Sequence, residues 1–221
     1  MSIEAVVFDM DGVLIDSEPL WEEVRRAFVV EHRGRWQPDS QRRMMGMSTG
    51  EWSSFMADEL GVRLEPPRIA AAVIAQLADC YQGSLPLLPG ACDAVSRTAE
   101  RWRLGLASSS PRYLIDVVLR CAGLADLFAV TVSADEVSRG KPDPEIYRTA
   151  VRRLGVDPAR CVAVEDSTNG LRSAHAAGLR LVAVPLTGYP PAADALAVAT
   201  RVLDGLDQLT PALIDGLGAP P

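Results

Sequence analysis

The chain has 221 residues, of which 48% are hydrophobic, and its formal net charge is -7 at pH 7. This length fits one large domain or one domain with an insertion, and the apolar share is enough for a well-buried core. The acidic balance disfavours nucleic acid or an anionic membrane surface as the main partner. Because the sequence has neither a basic leader before an apolar segment nor a long apolar stretch, we expect a cytoplasmic protein with no membrane partner.

The cysteine pattern does not suggest a disulfide framework or a zinc site. The residues are scattered, with no CxxC motif and no Cys/His cluster: Cys80, Cys92, Cys121 and Cys161. We therefore expect buried free thiols in a reducing compartment.

The first predicted element is a buried strand over residues 5–8, which ends in two acids. The sequence continues Asp9-Met10-Asp11-Gly12. Alternation along an extended chain places Asp9 and Asp11 on the same side. Two carboxylates at the mouth of an apolar sheet favour a bound cation or a proton. A turn in which the Asp side chains bond their own backbone would have the same sequence.

Residues 16–87 carry helical patterns and no convincing strand. A helix-start signal, Asp16-Ser17-Glu18-Pro19, opens this region. Apolar residues then keep helical spacing in three segments, 20–28, 52–60 and 69–81. A proline-rich linker at 85–90 follows. We predict an all-helical domain over 16–87, inserted into a core domain made of 1–15 and 88–221.

Helices and strands alternate through the rest of the chain. The predicted helices are 91–102, 111–122, 144–154 and 168–177. The predicted strands are 104–107, 130–133, 161–164, 181–184 and, at the edge, 202–203. Such alternation implies a parallel sheet with helices on both faces. The predicted fold class is therefore α/β, a Rossmann-like doubly wound parallel sheet with an inserted all-helical domain.

Polar residues follow four of the predicted strands, at the sheet edge where ligands bind in such folds. They are Asp9 and Asp11, then Ser108, Ser109 and Ser110, then Lys141 in a longer connection, and finally Glu165 and Asp166. Each group alone is compatible with ordinary loop polarity. Their convergence at one edge favours a functional site.

The chemistry that suits these groups is phosphoryl transfer. Asp9 and Asp166 offer the oxygen ligands that Mg²⁺ prefers, and Asp9 can attack phosphorus to form an aspartyl-phosphate. Asp11 can protonate the leaving oxygen and later deprotonate water. The Ser108 hydroxyl can bind the phosphate together with nearby backbone N–H groups, and Lys141 can stabilise its charge.

Two neighbouring residues complete the candidate set. Ser109 joins Ser108 as a phosphate-binding candidate. For Glu165 two interpretations stay open: it binds the metal with Asp166, or it only orients its surroundings.

These motifs resemble, in order, the four motifs of the haloacid dehalogenase-like superfamily: Asp9–Val13, Ser108, Lys141-Pro142 and Glu165-Asp166-Ser167. The helical insertion resembles the cap of its phosphatase and β-phosphoglucomutase-like branch, so the resemblance covers nearly the whole chain. It implies Mg²⁺ dependence, with Asp9 as nucleophile and Asp11 as acid and base. It further implies that the metal ligands are Asp9, the backbone carbonyl of Asp11, and Asp166.

The resemblance also extends to supporting residues and to substrate choice. Asn169 matches the pattern after the fourth motif and is expected to brace the site. Glu18 is the cap-side residue that we most expect to contact substrate. A relative of the phosphomutase type would carry an arginine near Thr49, although Arg42 or Arg43 could do that work.

The sequence therefore predicts a Mg²⁺-dependent phosphatase for a small phosphorylated metabolite, acting as a monomer. A phosphomutase of the β-phosphoglucomutase type is the alternative. Dehalogenation is disfavoured because dehalogenase relatives lack the second acid, here Asp11. A non-enzymatic sensor of phosphorylated metabolites is disfavoured because it would not need Asp11.

Overall fold

The structure, a computed structural model, describes residues 2–218, which divide into two compact units. The α/β unit comprises the chain up to Asp16 and from Pro86 onward, and the helical unit comprises Ser17–Leu85. The outermost residues of the predicted core domain, 1 and 219–221, lie outside the described residues. Among the described residues, no helix has both the length and the apolar character needed to cross a bilayer.

The α/β unit contains a parallel sheet of six strands. The strands are β1 Ala5–Phe8, β2 Arg103–Ser108, β3 Phe128–Ser133, β4 Cys161–Glu165, β5 Arg180–Ala183 and β6 Arg201–Val202. Their spatial order is β3-β2-β1-β4-β5-β6. The chain therefore adds β2 and β3 on one side of β1 and then crosses over to add β4, β5 and β6 on the other side. This order confirms the doubly wound prediction and leaves a crevice beyond the carboxyl ends of β1 and β4.

Ten helices are described in residues 2–218. They are α1 Glu18–Glu31, α2 Ser40–Met44, α3 Thr49–Asp58, α4 Pro66–Gly83, α5 Ala91–Ala99, α6 Arg112–Cys121, α7 Glu145–Leu154, α8 Thr168–Ala176, α9 Ala193–Leu196 and α10 Pro211–Leu217. Short 3-10 helices lie at Ala125–Leu127, Ala134–Glu136, Pro158–Arg160 and Leu206–Gln208.

The core of the α/β unit explains why β1 and β4 are nearly continuous apolar runs. Both strands are buried along their whole length. Val7 and Ala163 pack in one cluster with Ile146 and Tyr147 of α7 and Leu171 of α8. Strands covered on both faces need apolar side chains on both faces, so polar residues of these segments are confined to the strand ends.

Each predicted strand and long helix is present, with ends that differ by a few residues, but three helices were missed. They are α2, α9 and α10, which have five, four and seven residues. Elements this short span too few turns for a clear apolar period. At the start of α7, the Asp143 carboxylate accepts a hydrogen bond from the Glu145 N–H at 3.0 Å.

The cysteines are free, as predicted, but the prediction that all are buried is wrong. Cys161 on β4 is buried, Cys80 and Cys92 are half-buried, and Cys121 is exposed. Cys121 is the last residue of α6, an amphipathic helix whose buried face carries Leu114 and Val118 instead. The exposure of each thiol on a helix therefore depends on the face of the helix that carries it.

Candidate active site

The loop after β1 is shaped by a glycine that a larger residue could not replace. Gly12 has φ +81°, a conformation that L side chains rarely adopt. A Cβ atom at this position would lie 2.1 Å from Oδ2 of Asp166. Gly12 therefore allows the loop after β1 to approach the loop after β4.

Strand pairing brings the first predicted acid next to the acid pair at the end of β4. Phe8 pairs with Val164, and the Asp9 N–H donates to the Val164 carbonyl at 3.0 Å. Asp9, Glu165 and Asp166 are all buried, and one carboxylate oxygen of each lies within 4.8 Å of the others. The cluster follows directly from β1 and β4 being neighbours.

Lys141 is the cation of this cluster. Its ammonium lies 2.9 Å from Oδ1 of Asp9 and 2.5 Å from Oε1 of Glu165, and its side chain is only 4% exposed. Pro142 keeps Lys141 out of the following helix. Burial lowers the pKa of Lys141, but the charges of Asp9 and Glu165 raise it more, so its pKa is above the usual value. The two carboxylates therefore favour the charged form of this amine.

Glu165 is surrounded by hydrogen-bond donors. Oε1 accepts from Lys141 and, at 2.8 Å, from the Tyr147 hydroxyl. Oε2 accepts from the backbone N–H groups of Asp166 and Ser167 and from the Ser167 hydroxyl, at 3.1 to 3.2 Å. These donors occupy both oxygens, which is the arrangement expected of an acid that orients its neighbours.

The donor set fits a hard divalent cation. Three buried carboxylates face one ammonium, so the cluster has more negative than positive charge. Burial, with the charge of Glu165 next to them, raises the pKa of Asp9 to about 8 and that of Asp166 well above its usual value. Oδ1 of Asp166 is buried without a hydrogen-bond partner among the described residues. A buried carboxylate oxygen in this position needs a proton or a cation.

Asp11 is held by a second group, made of serines. Oδ2 of Asp11 accepts from the hydroxyl of Ser108 at 3.2 Å and from that of Ser110 at 2.8 Å. The Ser110 N–H donates to Oγ of Ser108 at 3.0 Å, and its carbonyl accepts from the Ser133 hydroxyl at 2.8 Å. Ser109 is exposed on the same turn. These hydrogen bonds therefore link the loop after β1 to the carboxyl ends of β2 and β3.

Of the remaining predicted residues, Asn169 lies in the first turn of α8, directly before Gly170. The Gly170 N–H donates to the Ser167 hydroxyl at 3.1 Å. A Cβ atom on Gly170 would lie 1.8 Å from Oε1 of Glu165. The absence of a side chain at Gly170 thus makes room for the Glu165 carboxylate.

Glu18 belongs to the helical unit, where it is part of a polar chain. Its Oε2 accepts from Nε2 of Gln41 at 2.7 Å, and Arg25 donates to Oε1 of Gln41 at 3.4 Å. The Arg25 guanidinium also lies over the rings of Trp21 and Trp52, at 4.2 and 4.8 Å from their centroids. A buried arginine stacked on two indoles is a rigid support for such a chain.

Sequence reasoning missed the residues that support the site. Tyr147 lies in an ordinary amphipathic helix, so nothing in its spacing marked its hydroxyl. Ser133 carried a weak signal, because β2 and β3 both end in serine and the register pairs Ser133 with the predicted Ser108. Gln41 lies on the short helix that was missed.

Comparison with known proteins agrees with this geometry. The family model described as haloacid dehalogenase-like hydrolase matches residues 3–178. Hexitol phosphatase B of Escherichia coli (strain K12) is 38% identical, with 83% of this chain and 84% of the relative covered. A phosphorylated carbohydrates phosphatase of Thermotoga maritima is 34% identical, with 81% and 84% covered.

A solved structure agrees over almost the whole chain. It is a variant of CbbY from Rhodobacter sphaeroides in complex with xylulose 1,5-bisphosphate. Its TM-score is 0.85 at 30% identity, and the match covers 96% of this chain and 99% of that one. The chain therefore belongs to the haloacid dehalogenase-like hydrolase family and is a phosphoric monoester hydrolase, as its four motifs predicted.

Proposed function

We propose that this protein hydrolyses a small phosphorylated metabolite, a sugar or sugar-alcohol phosphate, with Mg²⁺ and through an aspartyl-phosphate on Asp9. The observation that carries the proposal is the buried cluster in which Asp9 lies next to Lys141 and Asp166. The second acid, Asp11, follows two residues later and is held by serine hydroxyls. The relatives named for phosphatase activity on hexitols and carbohydrates support the substrate class.

The residues that would hold Mg²⁺ are Asp9, the backbone carbonyl of Asp11, and Asp166. When bound, the cation would keep Asp9 ionised and offset negative charge on the phosphate. Glu165 is left out of this set because its oxygens already accept from Lys141, Tyr147 and the loop that follows. Its role is to orient Lys141.

In the first step, an Asp9 carboxylate oxygen bonds to phosphorus while the bond from phosphorus to the ester oxygen breaks. The electron pair of that bond stays on the leaving oxygen, and Asp11 gives it a proton. Ser108, Ser109 and the backbone N–H groups of this turn bind the phosphate, and Lys141 stabilises its charge.

In the second step, a water oxygen bonds to phosphorus and the bond to the Asp9 carboxylate breaks. Asp11, now a carboxylate, takes a proton from that water. The products are orthophosphate and the two acids in their starting states, so the cycle closes with no other reactant.

The helical unit is proposed to act as the cap domain that selects the leaving group. Glu18 is the candidate for substrate contact within it. Its carboxylate is fixed by Gln41, which gives one orientation of an acceptor suited to the hydroxyl groups of a polyol.

A phosphate-release screen of purified protein against phosphorylated metabolites tests this proposal. With Mg²⁺ we expect orthophosphate from hexitol and hexose phosphates, without formation of an isomer. EDTA should abolish the release and added Mg²⁺ should restore it, while Asp9→Asn should be inactive although folded. Isomer formation without orthophosphate would instead indicate the phosphomutase, and full activity of Asp9→Asn would reject Asp9 as the nucleophile.

A further inference from the structure

The loop after β2 holds Asp11 with two hydroxyl groups, and the proposed function assigns only that of Ser108 to the phosphate. Ser108 and Ser110 both donate to Oδ2 of Asp11, and the contact from Ser110 is the shorter, 2.8 Å against 3.2 Å. A serine hydroxyl has a single proton to donate. When Ser108 gives that proton to a bound phosphate, it no longer donates to Asp11.

We infer that Ser110 is the positioning residue that keeps Asp11 aligned for proton transfer while Ser108 is engaged by phosphate. The inference rests on the proposed function, because it assigns Asp11 as the acid and base. Ser110 then acts through Asp11 and not on the phosphate. The inference adds Ser110 to the residues that support acid–base catalysis by Asp11.

The surroundings of Ser110 fix its hydroxyl in place. Its side chain is buried, its N–H donates to Oγ of Ser108 at 3.0 Å, and its carbonyl accepts from the buried Ser133 hydroxyl at 2.8 Å. Pro111 follows and disfavours a helical conformation at Ser110, and α6 begins at Arg112. A hydroxyl held on both sides by backbone contacts loses little entropy when it binds its partner.

This contact also determines which Asp11 oxygen transfers the proton. Both serine hydroxyls donate to Oδ2, so in protonated Asp11 this oxygen is the acceptor and the transferable proton is on Oδ1. That proton moves to the ester oxygen as its bond to phosphorus breaks and the electron pair stays on oxygen. Asp11 is left as a carboxylate that Ser110 still holds.

The dependence on the leaving group tests the inference. p-Nitrophenolate is stable as an anion and leaves without a proton, whereas the alkoxide of a hexitol needs one. We would measure kcat/KM for p-nitrophenyl phosphate and for a hexitol phosphate, in the wild type and in Ser110→Ala. This constant covers the steps up to departure of the leaving group, so the later hydrolysis of the aspartyl-phosphate does not affect it.

We expect Ser110→Ala to lower kcat/KM about tenfold or more for the hexitol phosphate, a share of the roughly 10²–10⁴-fold supplied by general acid catalysis. For p-nitrophenyl phosphate we expect a loss below about threefold. Inhibition by orthophosphate and the melting temperature should stay near the wild-type values. In an Asp11→Asn background, Ser110→Ala should cause no further loss on either substrate.

Two further variants complete the design. Ser53→Ala removes another buried hydroxyl, which donates to the Gly50 carbonyl in the helical unit, and should leave both constants unchanged. Ser110→Cys keeps the side-chain shape but retains only a weak donor, and gives the same comparison if the alanine variant does not fold.

Equal losses on the two substrates, weaker inhibition by orthophosphate, or a further loss in the Asp11→Asn background would overturn the inference and leave the phosphatase proposal intact. A wild-type protein that releases no orthophosphate from either ester would overturn the proposed function, and this inference with it.

Discussion

The α/β unit and the helical unit both bury polar side chains, but they present them in different ways. In the α/β unit, Asp9, Ser108 and Asp166 lie just where buried strands end. In the helical unit, Arg25 and Gln41 are buried on helix faces, among side chains that pack the unit together. Strand ends therefore mark the candidate catalytic residues in the sequence, whereas the residues that hold Glu18, our candidate for substrate contact, follow an ordinary helical pattern.

The largest loss of activity should follow from removal of the buried cation of the α/β unit, Lys141. Lys141→Met leaves Asp9 and Glu165 without their ammonium partner. We expect kcat/KM to fall about 10²–10³-fold for every substrate tested, because charge stabilisation at the phosphate is lost. Steady-state phosphate release gives this number.

A nearby surface cation provides the control. Arg139 is 75% exposed on its side chain and pairs with Asp143 at 3.1 Å. Exposed pairs of this kind contribute about 0–1 kcal/mol, so Arg139→Met should keep nearly full activity. A loss for Lys141→Met that is confined to one substrate would contradict a role at the transferred phosphate.

A pair of glycine substitutions compares how well the two units tolerate an added methyl group. Gly170→Ala would place a methyl group within 2 Å of the Glu165 carboxylate, and we expect the free energy of unfolding to fall by about 3 kcal/mol. Gly50→Ala, in α3 of the helical unit, meets nothing within 4 Å and should be neutral or stabilising by up to about 1 kcal/mol. Urea unfolding measures both changes, and a stable Gly170→Ala would show that the crowding around Glu165 is unimportant.

Substrate choice, which we propose to depend on the helical unit, is the next, smaller effect. Glu18→Gln keeps the size of the side chain but weakens a charge-assisted contact with Gln41. We expect kcat/KM to fall about tenfold for a hexitol phosphate, on the scale of one hydrogen bond to a charged group, and to stay unchanged for p-nitrophenyl phosphate.

Glu23→Gln, on the exposed face of α1, serves as the matched control and should change neither constant. Equal losses for Glu18→Gln on both substrates would remove Glu18 from substrate choice. They would also argue against the proposed division in which the α/β unit carries out the reaction and the helical unit selects the substrate.

The smallest effect concerns an ion-pair cluster around Glu136, just after β3. Partial burial raises the pKa of Glu136, but hydrogen bonds from Arg112 and Arg153 lower it more, to about 2. Since the folded pKa is below the ordinary value of 4.5, the stabilisation is present above that value and is lost as pH falls through about 2. We expect Glu136→Gln to cost about 1 kcal/mol at neutral pH.

That difference in unfolding free energy between Glu136→Gln and the wild type should shrink as the pH is lowered from about 5 towards 3. Asp126→Asn, at another exposed acid of the α/β unit, is the control. A difference that does not change with pH would mean that the contribution of Glu136 is not electrostatic.

The sequence was informative where one physical rule fixes the position of a residue. Parallel strands bury both faces, so the acids after residues 8 and 164 had to lie at a strand end, and adjacent strands bring them together. The hydroxyl of Tyr147 follows no such rule, because a buried aromatic residue on a helix is expected with or without a polar partner. The same holds for Arg25, whose stacking on Trp21 of its own helix and on Trp52 of α3 depends on how two helices pack.

The most direct test of the account is to identify the phosphorylated residue. In Asp11→Asn the water step should be slowed more than phosphoryl transfer from p-nitrophenyl phosphate, so a covalent intermediate should accumulate. After rapid acid quench and digestion, mass spectrometry should find one added phosphoryl group on the peptide that contains Asp9, and none in Asp9→Asn/Asp11→Asn. A phosphoryl group on any other residue, or an active enzyme that never carries one, would contradict the proposal that Asp9 is the nucleophile.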